Sequence, residues 1–491
     1  MGIVLKQSFA NTLTLFMGFG IGGINMLFLY THFLSEDYFG LVTFLLASAT
    51  LVLPLVMVGM QHAVIKYFPV YKDLRSEQTF LTASLWIPLL VILPVAVLAA
   101  VFYGQLSNYL ARENFLIREY TYLIGIIAFF MGYFEVFYAW AKIRLQSVFG
   151  NVIKEVFARF CTLLLLFGVY FNWLTEPQFI YAVVVVYGLR MCLMLGYAFY
   201  LFRPRLIFQC PENIREILSF SLYSIIAGSA AGILLEIDKF MISQLSALRE
   251  VAYYAVGVYI ASIIAIPARA MQSITSPITS RELAREDLGA VGKLYRQSSL
   301  NLLVVGGLLF LLINLNIEDL YAFIDKPSFS QGVWVVLIIS LAKLVDLSLG
   351  IANAILTHSA YYRIIFYLSV AMALTVILLN RWLIVRMGID GAALATFLVL
   401  VGYSGLKVYY VKKKFKQQPF GVGTLKTIGI ILFLYGAFSI WEPSFHPVVN
   451  MILKSVVLVL SYLYLIRKLA VSEEVDALFD KVFDKGKGLV K

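Results

Sequence analysis

GIGGINMLFLYTHFLS, residues 20–35, has a counterpart 211 positions further along the chain in AGILLEIDKFMISQLS, residues 231–246. Both close on Leu-Ser and run into an acidic, aromatic turn, SEDYFG at 35–40 and REVAYY at 249–254. The second turn holds a few more residues, so Glu36 matches Glu250 and the Ala-Ser pair at 47–48 matches that at 261–262. A proline follows in each copy, Pro54 and Pro267. Further on the offset returns to 211, aligning Glu135 with Asp346 and Leu145 with Leu356. Matches in one order and at nearly one offset mark a duplicated architecture.

Composition says what is duplicated. The 491-residue chain is 61% hydrophobic and only 14% charged, with mean hydropathy +0.87. A soluble domain cannot hide that much apolar surface. Runs of about 20 apolar residues, each able to cross a hydrocarbon core about 30 Å thick, recur from end to end. They predict an all-α polytopic membrane protein of about fourteen spans: 8–30, 40–60, 79–103, 119–139, 157–173, 180–202, 217–237, 251–272, 297–317, 331–355, 364–380, 389–410, 424–440 and 448–466. Residues 140–156 then form a short inner loop. One lysine ahead of the first span, without a small-residue cleavage site, predicts an uncleaved first helix and no signal peptide.

Lysine and arginine set the orientation. With the N-terminus inside, the outer loops carry seven: Arg112, Arg118, Lys239, Arg249, Lys326, Arg381 and Arg386. Arg190, Lys343, Lys407 and Lys454 lie deeper within spans, and the inner side, counted with the inner ends of the spans, holds the other 28. Both ends are therefore expected in the cytoplasm. The net charge of +11 follows from this bias, and the VKKKFK cluster at 411–416 suits anionic phospholipids at the cytoplasmic face.

Six spans per copy leave both copies in one orientation, a parallel repeat about an axis along the membrane normal. The expected organisation is an N-terminal lobe at 1–203, a C-terminal lobe at 204–411, and a helix pair with a cytoplasmic tail at 412–491. Two such lobes suit alternating access to one site. Bends are expected at Pro54, Pro267 and the GFGIGG run at 18–23.

Other function classes find little support. Cys161, Cys192 and Cys210 form no CxxC, so neither a disulfide framework nor a metal set is implied. The four histidines are scattered. No GxSxG, HExxH or P-loop is present, so no enzyme is expected. The basic residues lie beside spans and leave no nucleic-acid-binding fold.

With LSEDYFG after the first helix and EIDKFMISQLS ending the seventh, the 6 + 6 + 2 arrangement resembles the multidrug/oligosaccharidyl-lipid/polysaccharide exporter superfamily. GMQHAVIKYF at 59–68 and GIDGAALAT at 388–396 resemble its polysaccharide biosynthesis branch, the Wzx-type O-antigen flippases. The resemblance implies a MATE-like fold in a bacterial inner membrane. It implies a flippase that turns an undecaprenyl-pyrophosphate-linked oligosaccharide to the periplasmic leaflet for lipopolysaccharide synthesis. It further implies polysaccharide polymerase machinery as a partner, and a coupling ion, sodium or proton, in place of a cofactor. The alternative on the same fold is a cation-coupled multidrug exporter. Lipid II flippases have arginines in the first span where this chain has Asn11 and Asn25, which argues against a peptidoglycan role.

A charge at mid-span costs about 2.5–3.5 kcal/mol on insertion scales, so each is a candidate site residue whose partner must be named. Arg190 sits amid VVVVYGLRMCLML with no acid on its own turns. A guanidinium forks onto phosphate oxygens, so Arg190 is expected either to meet the pyrophosphate or to pair with Glu135 or Glu155. Lys343 and Asp346, at i and i+3, either neutralise each other or split, Lys343 toward substrate charge and Asp346 toward coupling. The resemblance to multidrug exporters implies ion-coupling acids in the seventh and tenth helices, here Glu236 and Asp346. Glu135 joins them as the repeat partner of Asp346, Asn25 as that of Glu236, and Asp238 is the alternative to Glu236. Arg269, Lys66 and His62, near inner span ends, are expected to receive the pyrophosphate or to anchor at the interface. Lys454 is expected to snorkel outward.

Overall fold

A computed structural model describes residues 2–202, 205, 207, 209–441 and 445–471. The expected lobe boundary at 203–204 and the tail from 472 lie outside the described residues. Among those residues the chain is all-α, with no strand. By length and composition, eleven helices are long and apolar enough to cross a membrane, which makes this a multi-pass membrane protein. The two expected spans at 364–380 and 389–410 run on as one 54-residue helix, interrupted only at Gly388. Helices also occupy the expected fifth and seventh spans.

The first helix, α1 (Gly2–Ile24), continues through a π-helical turn, Asn25–Leu29, and a last turn, Tyr30–Phe33. Then come α2 (Glu36–Met57), α3 (Met60–Tyr67), α4 (Leu74–Val101), α5 (Tyr103–Leu110) and α6 (Ile117–Ile143). A second interrupted helix follows, α7 (Ser147–Val152), a π-turn Ile153–Phe157 and α8 (Ala158–Tyr170), and after it α9 (Glu176–Phe202) and α10 (Ile214–Leu245). The rest is α11 (Leu248–Ser262), α12 (Ile266–Ala284), α13 (Leu288–Asn314), α14 (Ile317–Ile324), α15 (Val333–Leu347), α16 (Ala352–Thr357), α17 (Tyr362–Phe415), α18 (Val422–Ser439) and α19 (Pro447–Lys468).

Local chemistry explains the boundaries. Glu36 and Asp37 open α2 where the helix dipole favours acids. Asp73 caps α4 by accepting from the Ser76 amide at 2.9 Å and hydroxyl at 2.6 Å, which holds its carboxyl below the usual carboxylate range. Between α2 and α3 the chain passes through two left-handed residues, Val58 and Gly59, four residues after Pro54. Gly59 has no room for a side chain, since a Cβ there would meet the Ser221 carbonyl oxygen at 2.6 Å. Gly388 likewise takes a positive φ of 57°.

The described residues fall into two compact units, one running to Ala255 with Asn380–Gly388, the other Val256–Leu379 with the residues from Ile389 on. In the first unit α6 packs on α2, α3 and α9, and α10 packs on α2. Lipid gives helices no hydrophobic reason to associate, so close packing must hold them. Trp140 supplies much of it: fully buried, it donates to the Ser84 hydroxyl at 3.1 Å and stacks on Phe199. Asn114 closes one end of this unit. Its amide nitrogen donates to the carbonyls of Ser243 (2.6 Å) and Ser246 (2.9 Å), and its oxygen accepts from the Leu248 amide (2.9 Å). Tyr253 donates to Glu36 across the same seam.

In the second unit α13 packs against α12, α15, α18 and α19. Tyr462 of α19 is fully buried and donates to the Val304 carbonyl at 2.7 Å. Lys454 is half-buried and pairs with Asp319 of α14 at 3.0 Å. The expected tenth span is discontinuous, α15 ending at Leu347 and α16 starting at Ala352, with Gly350 left-handed between them.

Candidate site for an anionic head group

Two π-turns, Asn25–Leu29 and Ile153–Phe157, lie on helices that pack together. Such turns often mark functional positions because one extra residue redirects the side chains that follow. Gly18 makes the approach possible, since a Cβ there would meet the Glu155 carbonyl oxygen at 2.6 Å and the Arg159 guanidinium at 2.9 Å. Asn25 is buried and donates to the Arg159 carbonyl at 2.8 Å, tying one interrupted helix to the other. Its place in the structure is that of a tie between helices.

The charges of this unit gather around the second π-turn. Lys154 bridges Glu135 of α6 at 2.6 Å, and Arg159 bridges Glu155 at 2.7 Å. Lys142, in the last turn of α6, lies over the Tyr138 ring at 3.9 Å. Arg190 of α9 is 6% exposed, its guanidinium 4.1 Å above the Phe134 ring, and its Nε is buried without a hydrogen-bond partner. Glu135 and Glu155 both act electrostatically on Arg190. Neither bridges it, because each is already engaged by a basic side chain from the π-turn helix. His62 is within electrostatic reach of Lys142 and Glu135. Lys66 is exposed and rests over the Phe220 ring at 3.9 Å.

Lys142 and Lys154 escaped the sequence reading for a local reason, and Arg159 lies at the very start of the expected fifth span. The expected inner loop at 140–156 is largely helix, since α6 runs to Ile143 and the next helix starts at Ser147. The apolar run signals a span only from residue 157, and nothing in composition announces a π-turn before it.

The expected coupling acids are placed differently from one another. Glu236 pairs with Lys239 one turn along its own helix at 2.7 Å. Asp238 is buried, accepting from Tyr254 and, at 2.7 Å, from the Asn380 amide. In the second unit Asp346 finds its partner on another helix, Lys407 of α17, at 3.3 Å. Lys407 is buried, with the Tyr403 ring 4.4 Å from its amine. Its charge sits beside the last turn of α15, where the helix dipole favours a cation. Lys343 is half-buried on α15, and Arg269 is exposed on α12.

A family model described as polysaccharide biosynthesis protein matches residues 4–281. Among solved structures, "Lipid II flippase MurJ, inward closed conformation" superposes with a TM-score of 0.72 at 12% identity, covering 95% of this chain and 100% of that one. An inward-facing multidrug resistance MATE family transporter of the MOP superfamily gives 0.63 at 11% identity, covering 82% and 94%. MATE in complex with MaL6 gives 0.55 at 10%, covering 84% and 96%. No curated protein sequence matches the chain significantly. At these identities the structural likeness establishes the fold.

Proposed function

The chain belongs to the polysaccharide biosynthesis protein family, and from that premise we propose that it is a flippase for undecaprenyl-pyrophosphate-linked oligosaccharide. The lipid is carried from the cytoplasmic to the periplasmic leaflet of a bacterial inner membrane by alternating access, for O-antigen or lipopolysaccharide synthesis. Both chain ends are cytoplasmic in this reading, on the lysine and arginine bias of the loops. The physical obstacle is the pyrophosphate, which hydrocarbon rejects and which needs cations inside the protein.

One observation carries the proposal: buried, aromatic-backed Arg190 amid helices of a membrane transporter fold, with no ion pair among the described residues. Arg190, Lys66 and His62 are the proposed head-group contacts of the first unit, and Lys343 and Arg269 are separate candidates in the second. A pocket for cationic drugs would be poorly served by such a set, which weighs against the multidrug alternative. If transport draws on sodium or protons, Asp238 is the acid to test, because Glu135, Glu236 and Asp346 are each bridged to a lysine.

Deleting the gene and profiling surface glycan and undecaprenyl-linked intermediates by mass spectrometry tests this reading. Loss of surface glycan with accumulation of the lipid-linked intermediate is expected. Unchanged glycan with new sensitivity to cationic dyes sinks it.

A further inference from the structure

Lys142, Lys154, Arg159 and Arg190 come from three separate stretches of one unit yet form one electrostatic group. Glu135 is acted on by Lys154, Lys142 and Arg190, and Arg190 by Glu135, Glu155 and Arg159. Two of the four cations are held by carboxylates and two only by aromatic faces. The neighbouring Glu236 brings its own lysine and adds no net charge. The group therefore carries two more positive charges than negative ones, inside a membrane protein where uncompensated charge is costly.

Burial gives the arrangement a direction. Glu135 is 14% exposed against 39% for Lys154, and Glu155 is 19% exposed against 38% for Arg159. An incoming anion meets the bases first, and the acids lie behind them. Arg190 adds a buried guanidinium with an unpartnered Nε, a donor that the protein leaves unused.

We infer that these four cations form a single anion site within the first unit, with Glu135 and Glu155 standing in for the ligand while it is away. The ligand is a pyrophosphate diester, whose two phosphorus centres carry one negative charge each and match the surplus. On binding, Lys154 and Arg159 turn from carboxylate to phosphate. On release the buried carboxylates recapture them, so the head group leaves without the bases being stranded. This rests on the flippase reading and gives Glu135 a role in release instead of ion coupling.

The test uses the full chain in lipid nanodiscs, with farnesyl-pyrophosphoryl-N-acetylglucosamine as probe and farnesyl monophosphate as control. Lys154→Gln and Arg159→Gln are each expected to weaken diester binding about tenfold, as loss of a charge-assisted phosphate contact does, with Lys154→Arg close to wild type. Glu135→Gln is expected to tighten binding and slow dissociation, because the competing anion is gone. If Glu135→Gln does not fold, Glu155→Gln serves the same purpose. Unchanged or weaker binding in the folded acid variant overturns the inference, as does equal affinity for the monophosphate. If the gene deletion strips surface glycan while these outcomes fail, the flippase reading stands and the site assignment falls. If diester binding behaves as expected and the deletion leaves glycan intact, the flippase reading falls instead.

Discussion

Asp346 and Lys407 show how much a single residue's partner decides. An exposed ion pair contributes little, but here Lys407 is buried and Asp346 is about half exposed, so the two losses are unequal. Asp346→Ala leaves a buried ammonium facing the α15 end with only Tyr403 beside it, and should cost about 1–3 kcal/mol. Lys407→Met should cost less, because Asp346 can turn to water. The double variant should be more stable than Asp346→Ala alone. Thermal unfolding of the purified variants checks the order, and equal losses for both single variants would contradict it. The sequence shows that both charges lie in spans but cannot show that they meet, because their residues are 61 apart and on different helices. Lys343, only three positions from Asp346, is the partner that helical spacing alone suggests.

At the scale of elements, the legible features are those that carry period and punctuation. Long apolar runs gave the helices, and the quoted stretches GMQHAVIKYF and GIDGAALAT each begin at a glycine, Gly59 and Gly388, that the structure holds at positive φ. The sequence pattern was therefore backbone geometry seen from outside. The π-turns were not legible, because a one-residue insertion in a helical register leaves hydropathy unchanged, and with them went Lys154. Asn114 was equally silent: it lies in a connection, and its value comes from two carbonyls and an amide that meet it in space. Asn114→Ala removes all three bonds and should destabilise the protein by about 1–3 kcal/mol, whereas Asn114→Asp, which keeps the acceptor for the Leu248 amide, should retain part of that loss. Unfolding midpoints in detergent measure this, and an unchanged midpoint for Asn114→Ala would show that water replaces the contacts at no cost.

For the whole molecule, the repeat at an offset of 211 and the loop charge bias pointed to a membrane transporter, and the likeness to MurJ and MATE structures establishes that fold. Substrate is a different matter. A glycan offers hydroxyls that many polar side chains can meet, so no short motif encodes it, whereas the pyrophosphate of the proposed substrate would demand cations, for which Arg190 and its neighbours are the proposed site. The most direct test is leaflet protection in proteoliposomes that hold the purified protein and a polyprenyl-pyrophosphate-linked oligosaccharide, probed by an added glycosidase that cannot cross the bilayer. The account predicts that protein makes all of the oligosaccharide accessible, that Arg190→Ala leaves the inner-leaflet share protected, and that the inner-leaflet share of the polyprenyl monophosphate analogue stays protected. Continued protection of the inner-leaflet share of the pyrophosphate-linked lipid in the presence of folded wild-type protein would contradict it.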